Sequence, residues 1–177
     1  MSFNGEQHPG VQIPTADSDG FRLNHTMLRV KNPEKALAFY SHVFGMCVLR
    51  RLDFEEMQFS LYFLAKLEAD ETVPENVGDR TVWTFSQRGL LELTHNWGTE
   101  TQDDFAYHDG NAQPQGFGHI CFSVPDLKAA EVWFDSNGVE FIKRSDQGKM
   151  KDVVFVKDVD GYWIEVVQAD RLAALGD

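Results

Sequence analysis

The pattern of apolar and polar residues occurs twice along the chain. One copy, "HTMLRVKNPEKALAFYSHVFGM", begins at His25, and the other, "HICFSVPDLKAAEVWFDSNGVEF", begins at His119. Each copy starts with a histidine, continues as an apolar strand, meets a proline and enters a helical pattern that stops near a glycine. The offset is 119 − 25 = 94 residues. The pattern therefore predicts two related modules.

Helical spacing predicts one helix over roughly residues 33–43 and another from Asp126, as N-cap, to Asn137. Strand patterns follow each helix: first "MCVLRRLDF", "MQFSLYFLAKL", "TVWTFSQ" and "LLELTHNW", then "VEFIKR", "DVVFVKD" and "YWIEVVQ". Asp160-Gly161 indicates a tight turn between the last two. Each half therefore has a strand, a helix and about three further strands, which predicts an α+β fold.

The composition divides the chain into segments. Residues 1–20 are polar and are predicted to form a flexible N-terminal arm. Residues 21–98 form the first module, with an inserted loop at about 69–80 that is polar and contains a proline. Residues 99–117, rich in Gly, Gln, Asp and Asn, link it to the second module at 118–177.

Charge and cysteine content narrow the classes of function. The 177 residues are 42% hydrophobic, enough for a packed core, and 16 Lys and Arg against 28 Asp and Glu give a net charge of −12. Such an acidic surface disfavours nucleic acid and anionic membranes as partners. The chain shows no signal-peptide pattern and no apolar stretch long enough for a membrane helix, which predicts a cytoplasmic protein. Its two cysteines, Cys47 and Cys121, are predicted to be free, buried thiols.

The repeat also places potential metal ligands alike. His25 and His119 open the first strands of their halves, and Glu92 and Glu165 lie in the last strands. Strand alternation directs both carboxylates away from their apolar neighbours, and a buried carboxylate needs a partner. Two imidazoles and two carboxylates suit a divalent ion. A single histidine or glutamate of this kind is more often solvated, so the repeated placement is what favours a metal site.

Longer motifs point to a known family. The segments "LELTHNWGTE", "GFGHI", "GKMK" and "DGYWIEV", together with the first histidine segment, closely resemble glyoxalase I (lactoylglutathione lyase) of the vicinal oxygen chelate superfamily, from about Phe21 to Gln168. The resemblance implies two βαβββ modules whose curved mixed sheets surround the metal. It also implies a homodimer with active sites between subunits. His25 and Glu92 would then come from one chain, and His119 and Glu165 from the other.

The family's reaction isomerises the hemithioacetal of methylglyoxal and glutathione to S-lactoylglutathione. A proton moves from C1 to C2 through a metal-stabilised enediolate. By resemblance, Glu165 is the candidate general base, and Glu92 serves the other face of the substrate. A carboxylate that takes a proton from carbon must loosen from the metal to do so.

Substrate contacts are implied at four further positions. Arg29 and Asn96 match residues that bind the tripeptide, and Lys149 and Met150 match another contact segment. Arg29 could instead form a surface ion pair, and Lys149 could be a solvated loop residue. The apolar wall of the site is expected from Phe59, Leu61, Phe63 and Met150, for which core packing is the alternative.

Two departures from the family pattern affect the expected affinity for glutathione and the expected choice of metal ion. Gln115 replaces an arginine of many relatives that resembles a second carboxylate anchor, and the lost charge could weaken glutathione binding by about 1.5–3 kcal/mol. His25, where some longer members have glutamine, resembles the nickel- or cobalt-activated class. The N-terminal arm and the inserted loop resemble the zinc class. Zinc is favoured, with nickel or cobalt as alternatives.

Three other functions fit the same modules. A ring-cleaving dioxygenase needs two histidines and one carboxylate on Fe(II), whereas four candidate ligands are present here. A drug-sequestering binding protein usually lacks the ligand set. An inactive homologue with a structural metal would keep all four residues, and only an assay separates it from an enzyme.

Overall fold

The structure, a computed structural model, describes residues 5, 6 and 8–173. The strands in this part of the chain are β1 (His25–Arg29), β2 (Cys47–Phe54), β3 (Phe59–Ala65), β4 (Leu90–Asn96), β5 (His119–Ser123), β6 (Phe141–Lys143), β7 (Val153–Lys157) and β8 (Trp163–Val167). The α-helices are α1 (Pro33–Phe44), α2 (Val77–Ser86) and α3 (Leu127–Ser136). The rest of the predicted arm, 1–4 and 7, and the end of the second module, 174–177, lie outside the described residues.

The strands form two open, four-stranded mixed sheets. Their orders are β1-β4-β3-β2 and β5-β8-β7-β6. In each sheet the first strand of the module runs parallel to the last, and the other pairs are antiparallel. The two sheets therefore share one topology, and the predicted α+β fold with two mixed sheets is confirmed.

Local signals begin and end the two helices that the repeat predicts. The Asn32 side chain accepts a hydrogen bond from the backbone N–H of Lys35 at the start of α1, and Asp126 accepts one from Ala129 at the start of α3. Gly45 ends α1 with φ = 64°, a conformation that glycine adopts without steric cost. The polar N-caps thus begin both helices a few residues after the first strand of each module.

Helix α2 corrects the sequence prediction. The segment predicted as the end of a loop and the strand "TVWTFSQ" is a helix from Val77 to Ser86. Its β-branched and aromatic residues favour strands in general, which misled the prediction. The Asn76 side chain caps the helix by accepting from the N–H groups of Gly78 and Asp79. Tertiary contacts then override propensity, and no helix of the second module corresponds to α2 within the described residues.

Two smaller predictions also need correction. Strand β3 begins at Phe59, because Met57 belongs to a short 3₁₀ turn that ends at Gln58 with φ = 57°. Both cysteines are free as predicted, yet they are exposed rather than buried. Cys47 begins β2, at the edge of its sheet, and Cys121 lies on the face of β5 that is turned away from the core.

One hydrophobic core joins the two modules. Leu91 and Leu93 of β4 and Ile164 and Val166 of β8 belong to the same buried cluster, to which α1 and α3 also contribute. Tyr40 on α1 donates a 2.7 Å hydrogen bond to Asp158, which precedes β8. Each sheet therefore turns one face to the shared core and leaves its other face for different use. None of the helices in the described part of the chain has the length and apolar character that crossing a membrane requires.

Candidate metal centre

The first pair of predicted ligands lies on the face of its sheet that is turned away from the core. His25 begins β1, and the parallel pairing of β1 with β4 sets Met27 opposite Glu92. The Nε2 atom of His25 lies 2.8 Å from Oε2 of Glu92. Alternation places these side chains opposite the core-facing Leu91 and Leu93. We call His25 and Glu92 the first half-site.

Neighbouring polar groups hold Glu92 firmly. Its side chain is only 10% exposed, and its Oε1 atom accepts a 3.0 Å hydrogen bond from the Thr94 hydroxyl. Thr94 lies two residues further along β4, on the same face of the strand. The Thr94 hydroxyl therefore satisfies one oxygen of this buried carboxylate, and the other oxygen faces Nε2 of His25.

The imidazole of His25 is partly covered, with 32% of its side chain exposed. Its ring packs edge-on against Phe63 of β3, with centroids 5.4 Å apart, and against Phe85 of α2, at 6.4 Å. Its Nδ1 atom lies 2.8 Å from Oδ1 of Asn24. Both ring nitrogens of this histidine therefore face an oxygen, one from Glu92 and one from Asn24.

The second pair of ligands repeats the first in a more open setting. The Nε2 atom of His119 lies 3.3 Å from Oε2 of Glu165, and their side chains are 40% and 21% exposed. The ring of His119 packs edge-on against Phe155 at 5.3 Å, as His25 does against Phe63. We call His119 and Glu165 the second half-site.

The thiol of Cys121 lies near the second carboxylate. Cys121 is opposite Glu165 in the parallel pairing of β5 with β8. Partial desolvation and the neighbouring carboxylate raise the pKa of the Cys121 thiol to about 12. The second carboxylate therefore has a protonated thiol nearby at neutral pH, whereas the first accepts from the hydroxyl of Thr94.

The chemistry of each pair suits one divalent ion. A carboxylate oxygen and an imidazole lone pair repel each other unless a proton or a cation lies between them. Ligand atoms about 2.1 Å from one metal ion are about 3.0–3.4 Å apart, close to the observed 2.8 and 3.3 Å. Each half-site can therefore supply two neighbouring positions of a coordination sphere, with neutral imidazole and carboxylate as ligands.

The four predicted ligands do not meet within one chain. No three His, Cys, Asp or Glu side chains among residues 5–6 and 8–173 are grouped closely enough to hold a metal ion. The structure brings them together only as two pairs, one on each sheet, because the shared core occupies the opposite faces of both sheets. Either half-site alone is an incomplete centre.

The predicted substrate contacts are divided in the same way. Arg29 and Asn96 lie at the ends of β1 and β4 on the first sheet, and Asn96 donates a 3.1 Å hydrogen bond to the hydroxyl of Tyr107. Lys149 and Met150 lie in the exposed loop between β6 and β7 of the second module. A ligand that touched all four would have to reach both modules.

The apolar wall predicted beside the metal lies mainly on the first sheet. A second buried cluster centres on Leu49, Phe63 and Leu90, with Leu61 and Trp83 packed against it. It covers the ligand face of the sheet, where helix α2 closes over the strands. Met150, the fourth predicted wall residue, is 45% exposed in its loop and is not part of this cluster.

A cavity of about 470 Å³ lies between the start of β4 and β5. His119 and Cys121 contribute to its wall, and Arg88 and Lys66 bring positive charge to an otherwise acidic protein. Neither ligand of the first half-site lines it. The cavity therefore gives access to the second half-site alone and is not itself the metal centre.

Three contributors to the centre escaped prediction. Thr94 could have been found, because a residue two positions after Glu92 on a strand shares its face. Asn24 carries a weaker signal, as a polar residue directly before a ligand. Phe85 could not be placed while its segment was taken for a strand.

Comparisons with known proteins agree with this geometry. The Glyoxalase/Bleomycin resistance protein/Dioxygenase superfamily matches residues 22–166. A lactoylglutathione lyase of Pseudomonas aeruginosa is 55% identical over 177 residues, covering 99% of each chain. Glyoxalase I of Saccharomyces cerevisiae is 47% identical over 174 residues, which are 97% of this chain and 52% of that protein.

A solved structure supports the same relationship. The trypanothione-dependent glyoxalase I of Leishmania major superposes with a TM-score of 0.62 at 27% identity, covering 86% of this chain and 89% of that one. Sequence and fold thus point to one group of proteins, and the resemblance seen in the motifs is confirmed. The chain belongs to the Glyoxalase/Bleomycin resistance protein/Dioxygenase superfamily and, within it, to the lactoylglutathione lyase (glyoxalase I) family of enzymes.

Proposed function

We propose that two copies of this chain form a homodimer that isomerises the hemithioacetal of methylglyoxal and glutathione to S-lactoylglutathione, and so detoxifies methylglyoxal. The observation that carries the proposal is the arrangement of the ligands. Each sheet presents one His–Glu pair at the spacing of metal ligands, and the pairs stay apart within a chain. The family relationship supplies the reaction, and its agreement with relatives covers most of the chain.

A second copy resolves the incomplete centre. The first half-site of one chain would meet the second half-site of its partner, since the shared core separates the two pairs of a single chain. Arg29 and Asn96 would then face the Lys149 and Met150 loop of the partner across one substrate. A closed twofold dimer would contain two such sites.

His25, Glu92, His119 and Glu165 would hold one divalent ion, with zinc favoured and nickel or cobalt as alternatives. A bound divalent ion supplies Lewis acidity toward the oxygens of the substrate. The N-terminal arm and the inserted loop resemble those of the zinc-using class, which favours zinc. Imidazole and carboxylate ligands accommodate all three ions.

Glu165 is the residue that we assign to the proton transfer. It would take the proton from C1 of the hemithioacetal and return it at C2, through an enediolate. Its side chain is more exposed than that of Glu92, 21% against 10%, and no hydroxyl within the described residues donates to it as Thr94 does to Glu92. Glu92, which Thr94 holds, would serve the other face of the substrate.

Glutathione carries two carboxylates, and the chain offers cations for them near both half-sites. Arg29 can hold a carboxylate in two hydrogen bonds. Gln115 stands where many relatives have arginine, and its Nε2 atom lies 3.5 Å from the backbone oxygen of Asn111 in an exposed loop. A neutral residue there leaves one carboxylate of glutathione with a weaker contact. The free thiols of Cys47 and Cys121 fit the proposed cytoplasmic location.

The deciding experiment is an activity titration. Protein stripped of metal by a chelator is mixed with preformed hemithioacetal, and thioester absorbance is followed while Zn²⁺, Ni²⁺, Co²⁺ or Mn²⁺ is added. We expect one of these ions to restore thioester formation. Circular dichroism and metal analysis serve as controls that the protein is folded and loaded. If folded and metal-loaded protein formed no thioester with any of these ions, the result would contradict the proposal and favour another thiol or a binding role.

A further inference from the structure

The residue that precedes the ligand histidine differs between the two half-sites. Asn24 precedes His25, whereas Gly118 precedes His119. Asn24 places Oδ1 2.8 Å from Nδ1 of His25. Glycine has no side chain, and within the described part of the chain no side chain hydrogen-bonds Nδ1 of His119. One ligand histidine therefore has a partner on its far nitrogen, and the other lacks it.

Helix α2 fixes the orientation of the Asn24 amide. The Nδ2 atom of Asn24 donates to the backbone oxygen of Thr84 at 3.2 Å and to that of Gln87 at 3.0 Å. Both carbonyls lie at the C-terminal end of α2, and that of Thr84 also accepts from the backbone N–H of Gln87. With both amide hydrogens committed to these oxygens, the amide oxygen of Asn24 must face His25.

This orientation selects the tautomer of His25. An amide oxygen only accepts hydrogen bonds, so Nδ1 of His25 must carry a proton. In the neutral ring, Nε2 then keeps its lone pair, and it points toward Glu92 at 2.8 Å. That lone pair is the one a metal ion requires, and second partners of this kind fix ring orientation in metal sites generally.

We infer that Asn24 is a positioning residue that, oriented by the end of α2, holds His25 in the Nδ1–H tautomer and presents Nε2 to the metal; this rests on the proposed function for the metal itself. Since the described part of the second module has no helix in the place of α2, this helix acts on one half-site only. The chain therefore orients the histidine of its first half-site more closely than that of its second.

Two variants separate positioning from ordinary packing. Asn24→Ala removes both the acceptor for His25 and the donors to α2. Asn24→Asp keeps an acceptor for Nδ1 and loses the donors to Thr84 and Gln87. Both variants should lower the thermal unfolding midpoint, because each removes the two hydrogen bonds from Asn24 to the carbonyls of Thr84 and Gln87. Only Asn24→Ala should disturb the tautomer.

The first readout uses metal-free protein that carries Glu92→Gln, because the glutamine amide can donate to Nε2 of His25, whereas a carboxylate without metal would repel its lone pair. ¹⁵N chemical shifts of the histidine rings, assigned with His25→Gln and His119→Gln, report the tautomer at a pH where the rings are neutral. In this background we expect the Nδ1–H form for His25 with Asn24 and with Asn24→Asp, and a mixture of tautomers with Asn24→Ala. The signals of His119 should be the same in all three proteins and serve as the internal control.

The second readout is zinc affinity, measured by competition with a chelating dye. Asn24→Ala should bind zinc about 10–100-fold more weakly, the usual effect of losing such a partner, and Asn24→Asp should stay within about threefold of wild type. Wild-type tautomer and affinity in Asn24→Ala would overturn the inference. So would equal loss of affinity in both variants, because that result is what a purely structural role gives.

The same experiments distinguish failure of the inference from failure of the proposed function. A wild-type protein that binds no zinc, nickel or cobalt, or a His25→Ala variant that binds them as well as wild type, would overturn the proposed metal centre and the inference with it. Metal binding that is lost in His25→Ala and intact in Asn24→Ala would overturn the inference alone.

Discussion

The two half-sites share a design and differ in rigidity. In both, a histidine at the start of the module's first strand lies beside a glutamate of its last strand, which runs parallel to the first. A phenylalanine on the strand next to the glutamate packs edge-on against the histidine. The first half-site adds Asn24, Thr94 and the aromatic cover of α2. At the corresponding places the second has Gly118 and Val167, with the thiol of Cys121 beside its carboxylate.

This difference shows how one repeated His–Glu pair can serve two functions. A ligand pair held by hydrogen bonds from two sides is suited to keeping a metal ion in place. A carboxylate with no hydroxyl donor and greater exposure is suited to releasing its hold and moving a proton. In the proposed enzyme, helix α2 rather than the repeat would therefore separate the holding half-site from the reacting half-site.

Replacing Glu165 or Glu92 by glutamine should have the largest effect and should distinguish the two half-sites most clearly. Glu165→Gln removes the proposed base and should lower kcat by about 10²–10⁴-fold with metal still bound. Glu92→Gln should lower kcat by a smaller factor and weaken metal binding more. Steady-state kinetics with metal analysis of both proteins checks this. Equal losses of kcat, or a larger loss for Glu92→Gln, would show that the second half-site has no special role in the reaction.

Mixing damaged chains tests whether the half-sites meet between subunits. One chain carries His25→Gln with Glu92→Gln, the other carries His119→Gln with Glu165→Gln, and each alone should be inactive. After joint refolding, half of the dimers are mixed and each has one intact site, so activity should return to about a quarter of wild type. Refolding each damaged chain alone is the control. No recovery in a mixture that contains mixed dimers would contradict sites formed between subunits.

The stability of the protein should depend on pH through Asp158, which connects the two modules by its hydrogen bond with Tyr40. Burial raises the pKa of Asp158 to about 6, above the value near 3.9 of an unfolded aspartate. The folded protein therefore binds one more proton between these pH values. The free energy of unfolding should fall as pH rises from about 4 to 6, by at most about 3 kcal/mol from this group.

The Asp158→Asn variant is the control for that titration. Urea unfolding followed by tryptophan fluorescence should show a smaller change in stability between pH 4 and 6 than wild type. Because Asp158 accepts from Tyr40 across the two modules, both should unfold in one transition. An identical pH profile in the two proteins would rule out Asp158 as the source.

The smallest expected effect comes from making the first half-site resemble the second. Thr94→Val copies the valine found at position 167 and leaves Oε1 of Glu92 without its hydroxyl donor. We expect zinc affinity to fall about 10-fold, the lower end for loss of a second partner. Val167→Thr is the matched control and should change zinc affinity less. A loss no greater than that of the control would show that the hydroxyl does not hold Glu92.

The sequence predicted the parts of the fold that repeat. Histidine, helix and final glutamate recur at matched places, so the order of strands and helices followed from the pattern, and the ligand set stays a prediction. Helix α2 was missed because Val82, Trp83 and Phe85 favour strands in isolation, and its N-cap and its packing over the sheet decide otherwise. The pairing of ligands was predicted by resemblance. Distances and the Asn24 contact depend on chain segments about 60 residues apart, which local patterns do not encode.

The parallel pairing of β1 with β4 has a consequence for synthesis on the ribosome. His25 emerges 92 − 25 = 67 residues before Glu92, and the two meet only when the last strand of the module is added beside the first. In the proposed centre, a nascent chain therefore lacks the complete pair until the last strand of the module is in place, and metal loading would wait until then.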